Sequence, residues 1–189
     1  MEAVRHWVIS DTHFKHDRIY SFTGSSGLKV RPEFGSAEEG DWAMIERWNA
    51  IVRPWDHIYH LGDVGFGPDV AAIVKALVGK KRLILGNHDT KDVREYRDMG
   101  FQKVYGTHHW GKGIWLSHIP LASESIGNLV NIHGHIHERA PYGPQYRNVS
   151  VERIGYRPVL IHSVVAQSYE VPQQHGSSEV AAKRTIEAT

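Results

Sequence analysis

The chain has 189 residues, with 22 Lys and Arg against 21 Asp and Glu, 14 His and no Cys. The absence of cysteine excludes disulfides, thiolate metal sites and a cysteine nucleophile. A formal charge of +1 argues against a protein that coats nucleic acid by charge alone, and the histidine excess points towards metal chemistry through nitrogen and oxygen donors.

In chain order, Trp7-Val8-Ile9 reads as a buried strand ending at Ser10-Asp11. Residues 14–35, with Gly24, Gly27, Pro32 and Gly35, read as a long loop. Ser36 and Glu39 fit a capping box, and Trp42, Ile45, Trp48 and Val52 follow at helical spacing, so a helix is expected over about 37–51. Both tryptophans are expected in the core. Ile58 to Leu61 is the second strand. Pro68 opens a helix that carries Val70, Ile73, Val74, Leu77 and Val78 to a stop at Gly79. Lys80, Lys81 and Arg82 follow as a basic run at that helix end. The strand from Arg82 to Leu85 then closes a βαβ unit, which favours parallel pairing.

Beyond residue 100 the pattern becomes β-rich. Lys103 to Tyr105, Ile114 to Leu116, Leu129 to Ile132, Val149 to Val151 and Val159 to Val165 read as strands of a second, mixed or antiparallel sheet. A single domain over 1–171 is expected, followed by a polar, flexible tail over 172–189. No apolar run approaches the roughly 18 residues of a membrane span, and charge lies where a signal peptide's core would be. The expectation is a cytoplasmic protein without membrane attachment.

Five groups of metal-competent or proton-transfer residues fall just after expected strands: Asp11 and His13, Asp63, Asn87-His88-Asp89, Ser117-His118, and Gly134-His135-Ile136-His137. In open α/β sheets, sites form at the carboxyl ends of strands, where residues distant in sequence converge. Asp11, His13, Asp63, Asn87, His118, His135 and His137 are too many ligands for one four-coordinate ion and suit two ions sharing a carboxylate. Two ions about 3.5–4 Å apart can activate a water and stabilise a phosphoryl group. His135 and His137, two apart, would face the same side of an extended segment. His60 and His133 are candidates to support the ligands, and His16 and Arg139 to line the substrate pocket.

In this order, Asp11-Thr12-His13, Gly62-Asp63, Gly86-Asn87-His88-Asp89, Ser117-His118 and Gly134-His135-Ile136-His137 resemble the motifs of the calcineurin-like metallophosphoesterases. The resemblance covers about residues 4–165 and is nearest to small, uncapped bacterial and phage members; no motif position departs from the family pattern. Asn148-Val149-Ser150-Val151-Glu152 also resembles the strand that follows the last motif in small members.

The resemblance implies an α/β fold, a four-layer α/β/β/α sandwich with two central mixed sheets flanked by helices. It implies that Asp11, His13 and His137 hold one divalent ion, that Asn87, His118 and His135 hold another, and that Asp63 bridges them. A metal-bound hydroxide would attack phosphorus in line. His88 would contact a phosphate oxygen and protonate the leaving group, Asp89 would orient its imidazole, and Asn87 would contact substrate; His16 and Arg139, by their positions next to the motifs, are further candidates to contact it. Manganese is the favoured ion, with Fe, Zn, Ni or Co open. The expected substrate is a phosphodiester, with a nucleotide or short nucleic acid among the candidates. A phosphomonoesterase or nucleotide polyphosphate hydrolase is the alternative, and a non-catalytic protein-binding scaffold the remote one. No obligate protein partner is evident.

Overall fold

The computed structural model describes residues 2–24 and 27–166. The tail expected over 172–189 lies outside the described residues. The chain begins with β1 (His6–Ile9), a 3₁₀ turn at Asp17–Tyr20, α1 (Ala37–Asn49), β2 (His57–His60), α2 (Val70–Ala76), β3 (Lys80–Ile84), α3 (Val93–Asp98) and β4 (Lys103–Tyr105). It continues through β5 (His108–Gly111), β6 (Ile114–Leu116), α4 (Ser123–Ile126), β7 (Val130–His133), β8 (Tyr146–Asn148), α5 (Val151–Ile154), β9 (Val159–Leu160) and α6 (Ile161–Ala166).

These strands form two mixed sheets. The first has the order β4-β3-β2-β1-β9, all parallel except the β1–β9 pair. The second has the order β5-β6-β7-β8, parallel except for β5–β6. Strand alternation buries the first sheet on both faces. Trp7 and Ile9 join Met44 and Trp48 of α1 and Val70, Ile73 and Val74 of α2 in one apolar cluster. Val8 and Ile84 point the other way and meet Ile114, Leu116 and Ile132 of the second sheet. The result is an α/β fold of two mixed sheets with helices, as expected. No helix among the described residues is long and apolar enough to cross a membrane.

Ser36 caps α1, accepting from the Glu39 amide at 3.2 Å; Glu39 reaches back to the Gly35 amide at 2.8 Å. The buried face of α1 differs from the apolar pattern. It runs through Ala37, Gly40, Asp41, Met44 and Trp48, while Trp42 is 66% exposed. Gly40 and Asp41 carry no apolar signal. They are buried because the Tyr20 ring packs against Gly40 and the Asp41 carboxylate accepts from the Lys15 amide at 3.0 Å.

Lys103 to Tyr105, expected in the second sheet, pairs as β4 with β3 at the edge of the first. Other elements differ from expectation for local reasons. The segment 14–35 contains the 3₁₀ turn and a Phe14–Gly65 bridge. α3 was not expected, although Asp92 and Glu95 form a full capping box. The strand expected over Val149 to Val151 lies at β8, three residues earlier, and Val151 begins α5. Of the strand expected over Val159 to Val165, only Val159 and Leu160 pair with β1; Ile161 and Val164 then bury one face of α6 at helical spacing. Lys81 lies within β3, yet its ammonium bonds the Leu77 carbonyl at the end of α2, as the basic run suggested.

Candidate metal centre and phosphoester site

Every residue group expected at the site emerges just beyond a strand or on a turn beside one. Asp11 and His13 follow β1, Asp63 follows β2, Asn87 and His88 follow β3, His118 follows β6, and His135 and His137 follow β7. The β1 and β2 exits are tied together: the Asp11 amide donates to the Gly62 carbonyl at 3.0 Å and the His13 amide to the Asp63 carbonyl at 3.0 Å. The Gly62 φ of +101° favours glycine, and a Cβ there would lie 2.5 Å from the Gly86 amide nitrogen. A Cβ on Gly134 would collide with Ser10 Oγ and the Asp11 carboxylate. Gly134→Ala is therefore expected to cost about 1–3 kcal/mol, read by urea unfolding.

The backbone at these turns is strained. Asp11, His13, Asp63, His135 and His137 have φ of +59°, +48°, +55°, +69° and +49°. They are five of the eight non-glycine residues with positive φ among the described residues. Each such conformation costs on the order of 1–3 kcal/mol, and such residues cluster at functional sites. His135 and His137 thus sit on a tight turn, in place of the extended segment expected.

The side chains converge in two groups. Ligand atoms of Asp11, His13 and His137 lie within 4.8 Å of one another, as do those of Asp11, Asp63 and His118. Asp63 Oδ2 lies 3.6 Å from His13 Nε2 and 3.4 Å from His118 Nε2, so this carboxylate stands between the groups. Asn87 Oδ1 is 2.9 Å from His118 Nε2 and 3.0 Å from His135 Nδ1, and these two ring nitrogens are 3.2 Å apart. All seven expected ligands are therefore brought together.

The donor set fits divalent ions. Both ring nitrogens of His13 are buried without a hydrogen-bond partner. Burial lowers the His13 pKa, with the nearby His137 adding to the effect, so the ring is neutral and carries a lone pair. His118 Nδ1 lies 2.8 Å from the Leu61 carbonyl; donating its proton there leaves Nε2 as the lone pair facing the cluster. Burial lowers the His135 pKa and raises that of the Asp63 carboxyl. Burial opposes protonation of His137, but its hydrogen bond and attraction to Glu152 outweigh that and raise its pKa. An arriving cation would displace that proton.

Of the other expected residues, His88 is half-exposed, with Nε2 3.9 Å from Asp63 Oδ2 and its amide donating to Asp63 Oδ1 at 2.9 Å. Asp89 does something other than orient the His88 imidazole. Its carboxylate accepts from the amides of Asp63, Val64 and Gly86 at 2.7, 3.1 and 2.8 Å, locking the β2 and β3 exits together. His16 stands beside His13 at 5.6 Å between ring centroids. Arg139 Nε donates to the Ile136 carbonyl at 3.1 Å. His60 does support the site. Thr12 Oγ1 donates to the Val64 carbonyl, so His60 Nε2 donates to Thr12 Oγ1 at 2.9 Å. His60 Nδ1 accepts from the Gly62 amide. His133 Nδ1 lies 2.9 Å from the Gly134 carbonyl, at the turn that carries His135.

Three supporting residues escaped the sequence reading. Arg31 is fully buried; its guanidinium donates to the Asp11 carbonyl at 2.6 Å, the Thr12 carbonyl at 3.0 Å and Glu152 Oε1 at 2.8 Å. Glu152 Oε1 also lies 3.2 Å from His137 Nδ1. Ser150 Oγ donates to Asp11 Oδ2 at 2.9 Å. A lone arginine in a loop carries no sequence signal; Ser150 and Glu152 lie in the segment that follows the last motif.

The model of the calcineurin-like phosphoesterase family matches residues 4–181. An uncharacterized protein of Methanocaldococcus jannaschii is 32% identical over 171 residues, 84% of this chain and 88% of its own length. The Gene 66 protein of Mycobacterium phage L5 is 32% identical over 88 residues, 44% of this chain and 39% of its own length. A crystal structure of a protein of unknown function from Aquifex aeolicus aligns with a TM-score of 0.66 at 26% identity, over 86% of this chain and 98% of that one.

Proposed function

Because the chain belongs to the calcineurin-like phosphoesterase family, we propose that it is a two-metal phosphoesterase that prefers phosphodiesters and works best with manganese. The observation that carries this reading is the pair of converging donor groups with Asp63 Oδ2 between them. Asp11, His13 and His137 would hold one ion, and Asn87, His118 and His135 the other, with Asp63 shared. When bound, the ions supply Lewis acidity at the phosphoryl oxygens and a nucleophilic water near neutral pH.

The chain's own groups complete the chemistry. The half-exposed His88 imidazole, facing Asp63, donates a proton to the departing oxygen. Asp89 acts through the backbone, holding the Asp63 and Asn87 turns at fixed separation. Asn87 and His16 adjoin the substrate. The buried Arg31 is neutralised by Glu152 and offers no free charge to a monoester's second ionisation, which favours a monoanionic diester.

The direct test is hydrolysis of bis-p-nitrophenyl phosphate against p-nitrophenyl phosphate, after chelation and addition of Mn. The expected result is faster diester turnover that depends on the added metal. Hydrolysis of neither ester, with no ion bound by metal analysis, would overturn the reading. His88→Asn is expected to lower diester turnover by roughly a hundredfold while bound metal stays unchanged. The deficit should grow with poorer leaving groups, which need the proton more.

A further inference from the structure

Four aromatic rings run in contact from the protein surface to His88, and the hydrolysis proposed above gives no task to two of them. Phe22 is 47% exposed and meets His16 edge to face at 5.9 Å between centroids. His16 meets Phe66 at 4.5 Å, and Phe66 meets His88 at 5.4 Å. Packing does not account for Phe22, whose ring leaves about half its surface in water. Its main chain is nonetheless held, because its carbonyl accepts from the Val30 amide at 2.9 Å, beside the Thr23–Lys29 bridge.

The main chain of Phe66 is held as well. Its amide donates to the Phe14 carbonyl at 2.9 Å, and the preceding Gly65 lies so close to Phe14 that a Cβ would come within 2.5 Å of the Phe14 carbonyl oxygen. The ring is only partly covered and, with His88 and Lys91, borders a recess of about 120 Å³.

We infer that Phe66, with His16 and Phe22 set at angles beside it, forms a stacking platform for a nucleobase, and that the leaving alcohol of the preferred substrate is a nucleoside. The inference rests on the phosphodiesterase reading through His88. The proton donor marks the side on which the alcohol departs, so rings that adjoin His88 face that alcohol. Breaking the phosphorus–oxygen bond releases the nucleoside as its alcohol, with the His88 proton on the departing oxygen and the oxygen of water on phosphorus. A flat base has two π faces and stacks on aromatic side chains with little regard to its identity, so the platform selects nucleosides as a class without selecting one base. The near-neutral chain, at +1, agrees with a short substrate held by stacking more than by phosphate neutralisation.

The test compares the methyl ester of a nucleoside monophosphate, which is expected to release the nucleoside and methyl phosphate, with dimethyl phosphate, which carries no base to stack. The wild type is expected to favour the first by about tenfold or more in kcat/KM. Phe66→Leu and Phe22→Ser, each checked for native thermal unfolding, should each remove at least about fivefold of that preference through KM. AMP binding to the metal-loaded protein, measured by calorimetry, should weaken by a similar factor in both variants. An equal rate on the two esters, or a preference and AMP affinity untouched by both substitutions, overturns the platform while leaving the diesterase reading intact. No hydrolysis of any ester, with AMP binding that still depends on Phe66 and Phe22, overturns the hydrolase and keeps the base site.

Discussion

Asp63→Asn is expected to lower kcat/KM for an aryl phosphodiester by about a thousandfold or more, roughly 4 kcal/mol of transition-state stabilisation. The substitution keeps the volume of the side chain and an Oδ1 that can still accept from the His88 amide. What it removes is the negative charge between His13 Nε2 and His118 Nε2, 3.6 and 3.4 Å from Oδ2. Two cations held close together repel strongly in a buried site, and a shared carboxylate is the group best placed to offset that repulsion. Metal analysis should therefore show a fall from two bound ions to about one per chain, with the circular dichroism spectrum unchanged. Without metal the sign reverses. Burial already raises the Asp63 carboxyl pKa, so charge at that position is unfavourable to the empty fold. In chelator, Asp63→Asn should unfold at the same temperature as the wild type or higher. Activity within tenfold of wild type, or two ions still bound, would remove Asp63 from its bridging place.

The fold and the donor residues were legible because both follow local rules. A short apolar run ending in Gly-Asp or Gly-Asn-His-Asp announces a strand and the turn that leaves it, and β1, β2, β3, β6 and β7 all deliver their groups this way. The backbone of those turns was less legible. His135 and His137 were read as neighbours on an extended segment, and the structure instead coils the turn so that His135 joins His118 and His137 joins His13. Left-handed φ at an aspartate or histidine has no signature in composition, since the strain is sustained by tertiary contacts. The buried face of α1 was misread for a related reason. Gly40 and Asp41 are inside because of what packs on them, so hydrophobic spacing assigned Trp42 to the core, where Met44 in fact lies. Asp89 shows the same limit at the site: its neighbour in sequence is His88, but three backbone amides claim its carboxylate.

Removing one partner of the Arg31–Glu152 pair is expected to have the largest effect on stability. Glu152→Gln should cost about 3–5 kcal/mol in urea unfolding, because it leaves a guanidinium that is fully buried facing a neutral amide. Arg31→Met should cost a similar amount through the stranded Glu152 carboxylate, whose side chain is 2% exposed. The Arg31→Met, Glu152→Leu double variant should lose much less than the sum, since it removes both charges together. It should not recover fully, because the Asp11 and Thr12 carbonyls lose their guanidinium donor. The pH dependence has a defined sign. Burial raises the Glu152 pKa, but Arg31 and His137 outweigh it and hold the carboxyl below its ordinary value. Its contribution is fully present above the unfolded carboxylate pKa of about 4.3 and is lost as the pH falls through the lower folded value. The same variants reach the metal centre, since Glu152 lies 3.2 Å from His137 Nδ1 and Arg31 bonds the Asp11 backbone. Metal affinity should fall about 10–100-fold in Glu152→Gln, the range for groups that orient a ligand without touching the ion. Unfolding within 1 kcal/mol of wild type in both single variants, with metal affinity unchanged, would show that the pair neither holds the segment 14–35 in place nor aims the ligands.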